Sequence, residues 1–211
     1  GEALKFSPFS GSLGAVMVPE GSSIKTLADL EGKRLGVAGS AIDKSWLLLR
    51  AYSKKTLGKD LADLATPQYG AAPLLAEQIR DGKLDAVLNF WTFAARLEGT
   101  GFRRVISMSD VMKNLGVEPQ PALVGFVWKE GSEATLGPQI KALLAAAGEA
   151  NAILAKSDAA WDRLRPLVKA ATDKEFAALK AGYMAGIPGA WGEAEMKSAE
   201  KIMGLLVDGG D

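Results

Sequence analysis

Short apolar runs alternate with segments of helical periodicity through the first two thirds of the chain. The runs that predict strands are rich in Val, Leu and Ile and are bounded by turn residues, at positions 13–18, 34–38, 84–88, 105–108 and 122–128. Residues 66–70 fit either a short strand or a loop. Strands that alternate with helices in this way favour a parallel α/β sheet.

Apolar residues at helical spacing predict helices between and after these strands, at residues 42–54, 72–81, 109–115, 138–155, 159–170, 173–183 and 193–206. Ser107 and Asp110 have the spacing of a capping box. Thr172 and Glu175 have the same spacing, so we expect these carboxylates to belong to helix caps. From residue 137 onward the strand pattern stops, and the last third is predicted to be a block of helices.

Composition narrows the classes of function. The chain has 211 residues, of which 48% are hydrophobic and 24% charged, as in an ordinary globular protein. Its 25 basic and 25 acidic residues are balanced without a basic stripe, which argues against nucleic acid as a partner. Histidine and cysteine are absent, which removes thiol nucleophiles, Ser-His pairs and the usual zinc ligands. We therefore expect no metal, no cofactor and no catalytic residues.

Two ordered motifs carry a family resemblance. Residues 24–40, with the sequence IKTLADLEGKRLGVAGS, resemble a signature of the nitrate, sulfonate, taurine and thiamine-precursor binding proteins. Residues 75–91, which include DGKLDAV and end in Phe90-Trp91, resemble a second segment of the same family, and residues 138–155 are similar to one of its helices. The resemblance implies a two-lobed periplasmic binding protein of type II, the solute-binding component of an ABC importer.

The resemblance also implies an arrangement of domains. Members of the family carry about 80 to 100 further residues before this point, a size consistent with a two-lobed protein. Lobe one is therefore expected to be incomplete, formed by residues 1–21 together with the return strands and C-terminal helices of residues 104–211. Residues 22–103 would form a complete lobe two, and the two crossings would be hinges. An uncovered sheet edge would invite oligomerisation or strand exchange.

Location and partners follow from the same resemblance. It implies a protein outside the cytoplasm, periplasmic or lipid-anchored, which binds a small solute and delivers it to a membrane permease. The sequence itself has no apolar run near the roughly 20 residues of a membrane span and does not open with a signal-peptide pattern.

The strongest candidate site lies where the strand at 34–38 meets the next helix. N–H groups at a helix start favour a negative ligand group, and a serine hydroxyl adds a donor. The candidate ligand contacts there are Gly39, Ser40, Ala41, Asp43, Lys44 and Trp46. Alternatively, Ser40 caps the helix and Asp43 closes a capping box. Asp43 also offsets the positive helix end, so a zwitterion fits as well as an anion.

Further candidates lie at other strand ends. Asn89 and Trp91 follow the strand at 84–88, where open α/β sheets bind ligands, although Trp91 could instead be packing. Tyr69 and Ala71 flank a glycine turn before a helix, where loop packing is the alternative. The remaining candidates are the small residues of the first turn and a loop tryptophan that could cover the cleft: Ser10, Gly11, Ser12 and Trp191.

Other functions stay open at this stage. The ligand could be a sulfonate, a carboxylate, an amino-acid-like zwitterion or a heteroaromatic compound. A ligand-sensing module of a regulator would need a signalling domain. An enzyme of the same superfamily that makes the thiamine pyrimidine would need a reactive histidine and a cysteine-rich segment, and neither is present in the sequence.

Overall fold

The computed structural model describes residues 3–209, which form an α/β protein with two separate sheets. The strands are β1 (Leu4–Ser10), β2 (Gly14–Pro19), β3 (Arg34–Ala38), β4 (Thr66–Gly70), β5 (Ala86–Phe90), β6 (Phe102–Ser107) and β7 (Val124–Lys129). The helices are α1 (Lys44–Leu57), α2 (Leu61–Leu64), α3 (Ala72–Arg80), α4 (Trp91–Glu98), α5 (Met108–Asn114), α6 (Glu133–Leu154), α7 (Asp158–Val168), α8 (Asp173–Gly186) and α9 (Glu193–Gly209).

The α/β class and the C-terminal helical block are confirmed, and the element bounds differ from the predicted ones by a few residues. Residues 66–70 form a strand rather than a loop, because β4 pairs with β3 along its whole length. Three elements had no prediction, the edge strand β1, the four-residue helix α2 and helix α4. The two predicted caps are confirmed, since Ser107 and Thr172 each accept a hydrogen bond from the backbone N–H three residues on.

The larger sheet has five strands in the order β4-β3-β5-β2-β6. Strand β3 runs parallel to β4 and β5, whereas β2 runs antiparallel to both β5 and β6. The expected parallel sheet is therefore correct only in part, because β2, which lies between β5 and β6, runs in the opposite direction to the other four strands.

Helices cover both faces of this sheet. Successive residues of a strand point to opposite faces, so Val16 and Val18 join one apolar cluster while Ala15 and Met17 join the other. Helices α1 and α5 supply the first cluster, and α3 and α4 supply the second. The result is a three-layered lobe, which we call the larger lobe.

The smaller sheet pairs β1 with β7 in antiparallel register, and α6 lies beside it. Both clusters of buried apolar residues among the described residues flank the larger sheet instead. The smaller sheet is open to solvent, with Leu4 62% and Val127 57% exposed, and α6 has no buried residue. We call β1, β7, α6 and α7 the smaller lobe.

The strand order moves the predicted lobe boundaries. Strands β2 and β6 belong to the larger sheet, so the larger lobe extends beyond residues 22–103 in both directions. The chain crosses between the lobes at residues 11–13 and again at residues 115–123. The C-terminal helices were expected to belong wholly to lobe one. Instead, α8 packs against α4 and α9 packs against α1 of the larger lobe.

Helix α8 also joins the two lobes. Glu175 in its first turn is 4% exposed and forms an ion pair with Arg96 of α4. The other guanidinium nitrogen of Arg96, Nη2, donates to the carbonyl of Val168 at 2.9 Å. Helix α8 is thereby held at both the larger lobe and the end of α7.

Among the described helices, none combines the length and apolar character required to cross a membrane.

Candidate functional site

A cavity of about 290 Å³ lies where the two lobes meet. It is lined by Phe9, Ser10, Ser12, Leu13, Lys44, Ser45, Phe90, Trp91, Val124 and Tyr183. The structure thus brings together four residues that the sequence singled out in three distant segments, namely Ser10, Ser12, Lys44 and Trp91. The volume of the cavity is close to the lower limit for ligand pockets, which occupy roughly 300–1,000 Å³.

Lys44 and Ser45 begin helix α1 and form one side of the cavity. The residue that caps this helix is Asp43, whose Oδ1 accepts a hydrogen bond from the Ser45 N–H at 2.9 Å. The interpretation of Ser40 as the cap is therefore wrong, since its exposed hydroxyl accepts only a long hydrogen bond of 3.4 Å from the N–H of Ile42. Within residues 3–209, the half-buried ammonium of Lys44 has no ion-pair partner.

The turn before α1 lies outside the cavity. Gly39, Ser40, Ala41 and Asp43 are not among its lining residues. Gly39 has a φ of +98°, and a Cβ there would lie 3.2 Å from the Asp43 carboxylate, so this glycine shapes the turn that starts the helix. The turn places Lys44 and Ser45 at the cavity.

Two predicted contacts are buried structural residues. Trp46 is 0% exposed and packs edge-on against Tyr69, with ring centroids 6.2 Å apart, because it faces the core side of α1. Asn89 is 2% exposed; its Nδ2 donates to the carbonyl of Ala72, and its Oδ1 accepts from the N–H of Phe90. Both polar groups of Asn89 are thus satisfied inside the lobe. Because Trp46 and Asn89 are both buried, neither contacts a ligand in this conformation.

Trp91 is the first residue of α4 and stands between two cavities. Its ring lines the cavity described above and a second one of about 230 Å³, which also contains Gly11 and Arg104. The backbone N–H of Trp91 donates to the carbonyl of Leu13 at 3.0 Å, so the start of α4 is bonded to the first crossing between the lobes. A Cβ on Gly182 of α8 would lie 3.0 Å from the Trp91 ring, which shows how closely α8 covers it.

Tyr183 is a lining residue that sequence reasoning missed. Its ring centroid lies 6.4 Å from that of Trp91 and 5.5 Å from that of Trp161, both in edge-on geometry. Its hydroxyl donates to Asn151 Oδ1 of α6 at 2.7 Å, and burial raises the pKa of this phenol. The signal that could have found it is the neighbouring Gly182, since glycine in a helix often marks a close approach of another group.

The first crossing between the lobes is held against α8. Ser12 Oγ donates to the carbonyl of Gly182 at 2.8 Å, and the Gly11 N–H donates to the carbonyl of Gly186 at 2.8 Å. Ser12 N–H in turn donates to Ser10 Oγ at 3.2 Å. A Cβ on Gly186 would collide with Ser12, so glycine is required at this contact. Ser10 and Ser12 therefore reach the cavity from an ordered turn.

The other candidates lie elsewhere. Trp191 packs near Phe6, with ring centroids 5.8 Å apart, and lines a different cavity beside Gly11. Tyr69 is 42% exposed, and Ala71 precedes α3; neither lines the cavity between the lobes. Within the described chain, no group of acidic residues is arranged to hold a metal ion.

Two α/β units joined by paired crossings, with a lined cleft between them, form the fold of the periplasmic binding proteins. The chain belongs to the NMT1/THI5-like family, whose model matches residues 7–122, more than half of the chain. No curated protein matches it in sequence.

Solved structures share this fold at low sequence identity. The alkanesulfonate-binding protein SsuA from Xanthomonas axonopodis pv. citri, bound to MOPS, superimposes with a TM-score of 0.75 at 17% identity, over 98% of this chain and 68% of that one. The periplasmic aliphatic sulphonate binding protein SsuA from Escherichia coli gives 0.72 at 18% identity, over 97% and 64%. The desulfurization enzyme DSZB gives 0.64 at 17% identity, over 98% and 73%. The chain thus spans about two thirds of the length of the SsuA proteins.

Proposed function

We propose that the chain is the solute-binding part of an ABC importer, works outside the cytoplasm and passes its ligand to a membrane permease. The ligand would be a small organic anion or zwitterion, such as a sulfonate, held between the two lobes. The observation that carries the proposal is the cavity at the junction of the lobes, where Lys44 and Trp91 of the larger lobe line the same space as Val124 of the smaller lobe. The binding functions of the two SsuA proteins support it.

The chemistry of the cavity agrees with reversible binding. Lys44 is the cation among its lining residues and has no ion pair within the described part of the chain, so it can compensate a negative group. The aromatic rings of Trp91 and Tyr183 supply an apolar wall. A few polar groups in a largely apolar cleft are typical of small-molecule sites.

An enzymatic function is the alternative, because DSZB shares the fold. Catalysis on a sulfur or acyl centre needs a nucleophile with a base in hydrogen-bond reach. Among the lining residues, the Ser12 hydroxyl donates to a backbone carbonyl and the Tyr183 hydroxyl donates to an amide. No hydrogen bond within the described residues joins Lys44 to a lining hydroxyl. These observations favour a binding function, and a sensing role would use the same cleft.

Binding measurements test the proposal. Isothermal titration calorimetry of the whole chain with ethanesulfonate, taurine and nitrate should give saturable binding of at least one probe. Lys44→Ala should weaken that binding at least 10-fold, because it removes the charge that faces the ligand. Lys156→Ala is the matched control, since Lys156 is exposed and lies outside the cavity. Binding that is equally strong in the two variants would refute the assignment of the site.

A further inference from the structure

The cavity between the lobes is chemically divided. Its polar lining consists of Lys44 and Ser45 at the start of α1, Ser10 at the end of β1 and Ser12 of the first crossing. The larger part of its lining is apolar or aromatic, from both lobes and from α8: Phe9, Leu13, Phe90, Trp91, Val124 and Tyr183. From this division we infer that the ligand is an organic monoanion with a flat aromatic body, a specification that rests on the proposed function.

Ser45 points to a ligand independently of the helix end. Only 5% of this residue is exposed, and it lines the cavity. Its backbone N–H is already bound by Asp43, whereas its hydroxyl has no hydrogen-bond partner within residues 3–209. Since no buried side-chain polar atom among the described residues lacks a partner, this hydroxyl is open to the cavity, where an oxygen of a bound ligand can accept a hydrogen bond from it.

The charges around the polar side limit the ligand to one negative charge. Lys44 is the cation of this cavity, and the Asp43 carboxylate lies in the same helix turn. Arg104 lines the neighbouring cavity behind Trp91, but its Nη2 donates to the Glu98 carboxylate at 2.9 Å. A dianion such as sulfate would therefore bring more negative charge than the cleft can compensate.

The apolar and aromatic lining of the cavity favours a ligand whose own apolar part covers these side chains and removes them from water. Phe90 of the larger lobe is 39% exposed and Val124 of the smaller lobe is 45% exposed, so apolar surface of both lobes is exposed to solvent. The hydroxyl of Tyr183 is engaged with Asn151, which leaves its ring as the surface that contacts a ligand. A flat ring can pack against Trp91 and Tyr183, whereas a small hydrophilic anion would leave these surfaces in contact with water.

Calorimetric titrations with three probes test this inference on the whole chain. Benzenesulfonate should bind at least 10-fold more tightly than methanesulfonate, which has the same head group, and sulfate should bind no better than methanesulfonate. Trp91→Ala should reduce the ratio of the first two affinities to below about 3-fold. Val124→Ser tests the opposite wall at an exposed position if the tryptophan variant does not fold, and should lower the same ratio at least 2-fold.

Ser45→Ala should weaken benzenesulfonate and methanesulfonate by the same factor, about 5-fold or more, because it acts on the head group. Ser198→Ala in α9 is the matched control, since Ser198 is 6% exposed and lies outside the cavity, and it should leave both affinities unchanged. Equal binding of the two sulfonates, or tighter binding of sulfate, would overturn the inference but leave the proposed function intact. If a folded chain binds none of the probes, nor those of the proposed function, both fail.

Discussion

The ion pair between Asp60 and Arg50 gives the sharpest prediction on stability. The guanidinium of Arg50 binds the carboxylate through Nε at 2.9 Å and Nη2 at 2.8 Å, and Lys54 Nζ lies 3.0 Å from the same carboxylate. The side chains of Asp60 and Arg50 are 12% and 19% exposed. Asp60→Asn keeps the cap on α2, in which Ala62 N–H donates to the side chain, but removes the negative charge beside a mostly buried guanidinium.

Breaking a fully buried pair costs about 3–5 kcal/mol, and this pair is partly exposed, so we expect a loss of roughly 2–3 kcal/mol at pH 7. For a chain of this length, such a loss corresponds to a decrease in Tm of roughly 4–12 °C. Urea and thermal unfolding followed by circular dichroism measure it. Asp158→Asn is the control, because the Asp158 side chain is 92% exposed and its pair with Lys180 lies at the surface.

The pH dependence tests the electrostatic cause. The hydrogen bonds from Arg50, followed by those from Ala62 and Lys54, lower the pKa of Asp60 strongly. The stabilisation is therefore complete above the ordinary aspartate pKa of about 3.9 and is lost as the pH falls through the lower folded value. The difference between the wild type and Asp60→Asn should be full at pH 7 and should shrink below about pH 4. A difference no larger than that of the control, or one independent of pH, would refute the reasoning.

Four further substitutions test local packing and helix capping by the same unfolding assays. Gly182→Ala should destabilise the protein by about 1–2 kcal/mol, because the new Cβ would lie 3.0 Å from the Trp91 ring, whereas Gly148→Ala, with nothing within 4 Å, should stabilise α6 by about 0.5–1 kcal/mol. If both have the same sign, the contact is not tight. Trp46→Ala should cost about 3–5 kcal/mol, since this residue is 0% exposed, and a cost below about 1 kcal/mol would contradict its place in the core. Ser107→Ala should cost about 1 kcal/mol through loss of the cap on α5, and a neutral result would contradict that role.

The fold could be predicted where local patterns decide the structure. Hydrophobic runs located four of the five strands of the larger sheet, and Ser107 and Thr172 marked the starts of their helices. The antiparallel direction of β2 could not be predicted, because the direction of a strand depends on which partners it finds. Strand β1 was not predicted because Pro8 interrupts its apolar pattern. Its pairing with the distant β7 is also irregular at this point.

The site was partly predictable for the same reason. Lys44 and Trp91 follow strands β3 and β5, so the rule that ligands bind at strand ends located them. Trp46 was misplaced because a helix start does not reveal which of its residues faces the core. Tyr183 depends on the packing of α8 against the first crossing, a long-range contact that no local pattern shows.

Hydrogen–deuterium exchange with and without saturating benzenesulfonate tests most directly whether a ligand binds between the lobes at the starts of α1 and α4. Exchange should slow in peptides that cover residues 9–14, 43–47 and 90–94, which contain lining residues of the cleft, and should not change in residues 193–205 of α9. Protection confined to the cavity beside Trp191, or to segments outside the cleft, would contradict binding between the lobes.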